Sequence, residues 1–215
     1  MSRPYAAHHL DAEAYWTALS ECGCFDAFDA AYQARLRQRL LRAHADDPDH
    51  CIYAIATVGF DMGGMVKDGD GCCKRAGARG DCCSYRCALR SLALNSHGHF
   101  KPRNLNDRFD HDAQIVHVEF EHDGELFETE DGGMATAEFK RYVCDIPMSH
   151  DWFDLCILDL VNDAMALGGS RFRFLPLPFF DQFIYLVLMS DEAWSRSRAA
   201  ALIPADDHFY ESGSD

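Results

Sequence analysis

The sequence predicts an α+β protein: an antiparallel sheet built from two hairpins, with helices packed on it, preceded by a mainly helical N-terminal section. Three observations predict this class. Val116, Val118 and Phe120 alternate with charged residues, as in a strand with one buried face. Residues 152–167 have the spacing of an amphipathic helix, which a pair of glycines ends. Near the C-terminus, two apolar segments are separated by a short turn that can join them as a second hairpin.

The individual elements follow from local signals in chain order. Helical spacing of apolar residues, glycines at helix ends and capping residues set the helix boundaries. The Asp123-Gly124 dipeptide supplies the turn of the first hairpin, which leads strand 116–121 into strand 126–129. The other predicted elements are helices at 12–20, 26–44, 83–95, 136–143 and 152–167, a β-rich segment at 51–60, strands at 171–177 and 183–189, and a last helix capped by Ser190.

These elements predict one compact domain with four sections. Residues 1–60 are a mainly helical N-terminal section, and residues 61–80 are an exposed loop rich in glycine and cysteine. Residues 81–205 form the α+β core, and residues 206–215 are a polar tail. With 215 residues, of which 48% are hydrophobic, the chain can bury a sizeable core.

The charge balance favours some partners and disfavours others. The formal net charge is -15, which repels phosphate backbones and anionic lipid surfaces, so we expect neither nucleic-acid nor membrane binding. The first residues lack the apolar segment of a secretion signal, and we expect a cytoplasmic protein. In that compartment the ten cysteines are expected to remain thiols.

Acidic residues are concentrated around the predicted first hairpin. Alternation along a strand places Glu119 and Glu121 on one face, and the partner strand of the hairpin can bring Glu128 and Glu130 close to them. A basic protein partner would relieve the repulsion between these carboxylates and would be steered toward them. A solvated charged face and a divalent-cation site are the alternatives. The predicted partner-binding residues are Asp110, Asp112, Glu119, Glu121, Asp123, Glu125, Glu128 and Glu130.

A cysteine cluster between residues 72 and 87 leaves two interpretations open. Structural zinc sites bring two close pairs of ligands together across a loop, and adjacent cysteines do not fit that spacing. Unligated thiols and no cofactor are therefore expected. If zinc does bind, one cysteine from each doublet must join two further ligands, and the candidate ligands are Cys72, Cys82, Cys87 and His97.

A cysteine at the predicted start of a helix raises a catalytic alternative. The positive end of the helix dipole favours a thiolate at Cys83. Papain-like and transglutaminase-like enzymes use such a cysteine with a later histidine and acidic residue, and Cys83, His117 and Asp131 resemble that order. The resemblance implies a cysteine hydrolase or transferase.

The last hundred residues resemble a known group of proteins. The relevant features are the Asp123-Gly124 turn, the Val161-Asn162 pair, the strand from Arg171 to Phe174, the Asp181-Gln182 turn and the segment from Ser190 to Glu192. This succession is similar to that of bacterial immunity proteins, which neutralise toxins delivered between competing cells. The resemblance implies a protein without enzymatic activity that binds a basic toxin domain and occludes its active surface.

Overall fold

The computed structural model describes residues 5–61, 85–124, 126–128, 134–136, 139–147, 154–178 and 183–204. Helices and antiparallel sheets are both present in these ranges, so the predicted α+β class is confirmed. The helices are α1 (Ala12–Glu21), α2 (Ala30–Asp46), α3 (Tyr85–Asn95), α4 (Cys156–Leu167) and α5 (Asp191–Ala199), with short 3-10 turns at Ala6–His8 and Cys51–Ile55. The strands are β1 (Val58–Asp61), β2 (Arg103–Asp110), β3 (Ile115–His122), β4 (Leu126–Glu128), β5 (Met134–Thr136), β6 (Lys140–Pro147), β7 (Phe172–Pro176) and β8 (Phe183–Ser190).

The chain divides into two compact units. The terminal unit consists of Met1–Gly59 together with Phe172–Asp215, and the central unit consists of Phe60–Arg171. The two predicted hairpin regions therefore belong to different units and to different sheets.

The terminal unit combines the N-terminal helices with the second hairpin. Aspartates cap α1 and α2, because the side chains of Asp11 and Asp29 accept hydrogen bonds from backbone N–H groups in the first turn of each helix. Strands β7 and β8 pair antiparallel, as predicted, in a sheet of order β1-β8-β7. The hydroxyl of Ser190 accepts a hydrogen bond from the Ala193 N–H, so the predicted cap of the last helix is also confirmed. The buried Tyr15 hydroxyl donates to the Leu202 carbonyl oxygen at 2.6 Å and ties α1 to the C-terminal segment.

The central unit is built around a sheet of order β2-β3-β6. Along β3 the residues are alternately half-buried and buried, as the sequence predicts, with Val116, Val118, Phe120 and His122 on the buried side. Helix α3 contacts β2 and helix α4 contacts β6, and both helices bury apolar residues. The sheet therefore has one packed face.

Three predictions of local structure are wrong. Strand β3 pairs with β2 and β6, whereas β4 pairs with β5, so Asp123-Gly124 is not the turn of a hairpin. Most of the predicted helix at 136–143 is strand: β5 ends at Thr136 and β6 begins at Lys140. The predicted β-rich segment at 51–60 begins with a 3-10 turn at Cys51–Ile55, and only its last residues, from Val58 onward, are strand. In the first two cases the pairing of distant segments overrides the local pattern.

Candidate binding surface

The second face of the β2-β3-β6 sheet carries polar and charged side chains. Residues directly opposite each other in antiparallel strands project to the same side, so the pairings Arg108 with His117 and His117 with Asp145 place these three residues together. We call this surface the polar sheet face. By the same pairing its members are Arg103, Asn106, Arg108, Asp110, Ile115, His117, Glu119, Glu121, Arg141, Val143, Asp145 and Pro147.

Glu119 lies at the centre of the polar sheet face and has two partners. The Arg141 guanidinium donates to one carboxylate oxygen, and the Asn106 side-chain amide donates to the other at 3.3 Å. The hydrogen bond from Arg141 lowers the pKa of Glu119, and the same contact raises the pKa of Arg141. Glu119 is therefore an ionised and oriented carboxylate.

Glu121 is held by a residue in an unusual backbone conformation. The Asn104 side-chain amide donates to the Glu121 carboxylate at 2.7 Å. Asn104 has a φ of 51°, at a register shift between Arg103 and Asn106, and asparagine is one of the few residues that tolerate this left-handed region. The β-bulge thus aims an amide at the second carboxylate of β3.

A histidine and an aspartate form a second pair on the same face. Nδ1 of His117 lies 2.6 Å from Oδ1 of Asp145, across the β3-β6 pairing. Arg108 is the neighbour of His117 on the other side. His117 and Arg108 border a depression of about 320 Å³. The lining residues of this depression are Asn106, Arg108, His117, Val118, Glu119, Arg141 and Val143.

The turn between β2 and β3 holds two more of the predicted carboxylates. Oδ1 of Asp110 accepts a hydrogen bond from the Ala113 N–H at 2.9 Å, and this bond lowers the pKa of Asp110. Asp112 is exposed in the same turn. Gln114 has a φ of 55° just before β3 and closes the turn.

The predicted acidic residues are distributed differently from the expectation. Glu119 and Glu121 do share one face, but their neighbours on β2 and β6 are neutral or basic residues, so the predicted crowding with Glu128 and Glu130 does not follow from the strand pairing. Glu128 belongs to β4, which pairs with β5, and Asp123 follows β3. Glu125, Glu130 and the side chain of Glu128 lie outside the described residues.

Two of the four candidate zinc ligands, Cys72 and Cys82, lie outside the described residues. The same is true of Cys83 and Asp131 from the catalytic alternative. Cys87 lies half-buried on α3, and His97 follows α3 with a φ of 53°. In the described part of the chain, no group of three or more His, Cys, Asp or Glu residues is arranged to hold a metal ion.

Four residues that hold the charged side chains of the polar sheet face were not predicted from the sequence. Asn104, Asn106, Arg141 and Asp145 provide partners for Glu119, Glu121 and His117. A signal for β6 was present, since Tyr142, Cys144 and Ile146 alternate with Arg141, Val143 and Asp145 in the sequence.

A buried histidine at the end of β3 lies on the packed side of the sheet and makes two hydrogen bonds to the backbone. His122 is 3% exposed, and its Nε2 accepts a hydrogen bond from the Lys101 N–H at 3.1 Å. Nδ1 therefore carries the proton and donates to the Asp123 carbonyl oxygen at 3.2 Å. A Cβ at Gly168 would lie 2.9 Å from Cε1 of His122, so glycine at this position makes room for the ring.

Acidification is expected to destabilise the protein through this histidine. Burial lowers the pKa of His122, so the folded state resists protonation, while the unfolded chain takes up the proton below its ordinary pKa of about 6.5. The free energy of unfolding should fall as the pH decreases from about 6.5 toward the lower pKa of the folded state. Burial also lowers the pKa of His99, so this histidine should likewise make the free energy of unfolding fall as the pH decreases.

Urea unfolding at a series of pH values tests this expectation. The His122→Asn variant should be less stable at neutral pH but should have a shallower dependence on pH. The variant His111→Asn, at an exposed position in the β2-β3 turn, should keep the original slope. A wild-type stability that stays constant or rises on acidification from about pH 7 to pH 5.5 would contradict the buried neutral histidine.

Comparison of the chain with protein-family models, with curated proteins and with solved structures gives no match. Within the described ranges, none of the helices combines the length and the hydropathy needed to cross a bilayer. The fold and the surface together define an α+β protein with an exposed, mixed-charge sheet face in its central unit.

Proposed function

We propose that this chain is an immunity-type protein that binds a basic toxin domain and occludes its active surface. The polar sheet face is the docking surface in this proposal, and the protein acts in the cytoplasm of the cell it protects. The single observation that carries the proposal is a set of charged side chains already held by hydrogen bonds on an exposed sheet face.

These side chains are already immobilised by hydrogen bonds, which favours a role in binding over simple solvation. Immobilising a flexible side chain on association costs about 0.5–1.5 kcal/mol. Because Glu119, Glu121 and His117 are already held by Asn106, Asn104 and Asp145, much of that cost is met before a partner arrives.

The charges determine which partner fits. A net charge of -15 attracts a basic domain over long range and raises its rate of association. The polar sheet face itself carries both signs, since Arg108 and Arg141 lie among its carboxylates. We therefore expect the partner to present lysine or arginine opposite Glu119 and Glu121 and a carboxylate opposite Arg108. This mixed pattern gives specificity that net charge alone does not provide.

Calorimetric titration with a candidate toxin tests the proposal. The partner to use is the basic C-terminal domain of a secreted protein encoded beside this gene. We expect saturable binding, loss of the toxin's activity in the complex, and an affinity that weakens about tenfold or more between roughly 0.05 M and 0.5 M salt. Absence of binding together with undiminished toxin activity at low salt would rule out this partner and this function.

A further inference from the structure

Strand β6 is an edge of the central sheet that exposes apolar side chains. Its residues pair with β3, and among the described strands it has no second neighbour. Phe139, just before β6, is 46% exposed, and Val143 at the middle of the strand is 54% exposed. Edge strands of monomers usually avoid such groups, because a free edge with apolar side chains is a template for pairing.

The sequence of this edge is complementary to itself. Phe139, Arg141, Val143, Asp145 and Pro147 are at alternate positions and so project to one side. If a second copy pairs antiparallel with a twofold axis at Val143, Arg141 of each copy lies opposite Asp145 of the other. The same register places Phe139 opposite Pro147 and Val143 opposite Val143, so exposed apolar groups cover one another.

Other symmetric registers lose these matches. Moving the axis to Tyr142 places Arg141 opposite Val143, and moving it to Cys144 places Arg141 opposite Pro147. In both shifted registers Arg141 and Asp145 keep their partners within the chain but have no opposite charge across the new strand pair, so the pairing is less stable. The charge pattern therefore selects one register.

A groove lies beneath β6, next to the free edge of the sheet. A groove of about 490 Å³ lies between β6 and α4 and is lined in part by Tyr142, Leu160, Asp163 and Leu167. The Tyr142 hydroxyl is buried and makes no hydrogen bond to any residue that the structure describes. A buried hydroxyl without a partner is uncommon in folded proteins, so hydrogen bonding beneath β6 is incomplete among the described residues.

We propose that the chain forms a twofold-symmetric dimer in which β6 pairs antiparallel with β6 of a second copy, centred on Val143. The dimer joins two three-stranded sheets into one continuous sheet of six strands. A single pair of edge strands is a small interface compared with those of obligate dimers, so we expect dissociation in the micromolar range. The inference does not depend on the proposed function.

Charge exchange between the two paired positions tests the dimer. Sedimentation equilibrium should show the wild type dimerising across the micromolar range. Arg141→Asp places two aspartates opposite each other, and Asp145→Arg places two arginines opposite each other, so each variant alone should be monomeric. An equimolar mixture of the two variants restores both opposite-charge pairs and should form a heterodimer.

Controls separate pairing between copies from damage to the fold. Arg141 and Asp145 also contact Glu119 and His117 within their own chain, so circular dichroism and thermal unfolding should accompany each measurement. Leu94→Lys, at a residue 83% exposed on α3, should leave the dimer unchanged. A wild type that stays monomeric, variants that dimerise like the wild type, or a mixture that stays monomeric would each overturn the proposal.

Discussion

Replacing Phe120 with alanine is expected to destabilise the central unit by about 3–5 kcal/mol. Phe120 is 1% exposed, and its ring stacks on that of Tyr142 with the ring centroids 5.1 Å apart. The rings of Phe120 and Phe100 meet in a T-shaped arrangement with their centroids 5.4 Å apart. The substitution removes the transfer free energy of a whole aromatic ring and leaves a cavity that the sheet cannot close.

We expect Phe120→Ala also to disturb the polar sheet face. Phe120 lies between Glu119 and Glu121 in the chain, and the direction of both carboxylates depends on how β3 packs. Urea unfolding followed by circular dichroism measures the destabilisation. Leu94→Ala in the same unit is the control, because Leu94 is exposed and its truncation should change the free energy of unfolding by less than about 0.5 kcal/mol. A loss below about 1 kcal/mol for Phe120→Ala would contradict the packing of the sheet.

Elements with strong local signals were predictable from the sequence. The alternation along β3, the amphipathic spacing of α4 and the Ser190 cap of α5 each depend on neighbours within a few residues. The β7-β8 pairing is also local, because only the six residues 177–182 separate the two strands in the sequence. For such elements periodicity and capping determine the structure before tertiary packing acts.

The strand neighbours of β3 were not predictable in the same way. The Asp123-Gly124 dipeptide is a good hairpin turn locally, yet β3 pairs with β2 on one side and with β6, nearly twenty residues beyond β3, on the other. A pairing over that distance depends on how the whole sheet buries its apolar face, which no short window of sequence contains.

The error in pairing explains the error in the candidate site. If β4 paired with β3, the four carboxylates of Glu119, Glu121, Glu128 and Glu130 would lie close together, and a cationic partner would relieve their repulsion. With β2 and β6 beside β3, Asn104, Asn106 and Arg141 hold Glu119 and Glu121, so the carboxylates are ordered without a partner. The surface is therefore a mixed-charge one, and the basic partner that we propose must match a pattern of both signs.

The most direct test of the proposed docking surface is a pair of double charge reversals with equal changes in net charge. Glu119→Lys with Glu121→Lys alters the polar sheet face, whereas Glu21→Lys with Glu192→Lys alters exposed positions on α1 and α5 of the terminal unit. Affinity for the basic toxin domain is measured by calorimetry, and circular dichroism checks that both variants are folded.

We expect the reversal on the polar sheet face to weaken toxin binding by about 100-fold or more. The reversal in the terminal unit should weaken toxin binding by less than about tenfold, through long-range charge alone. If the two folded variants bind the toxin domain equally well, or lose the same affinity, then the polar sheet face is not the docking surface.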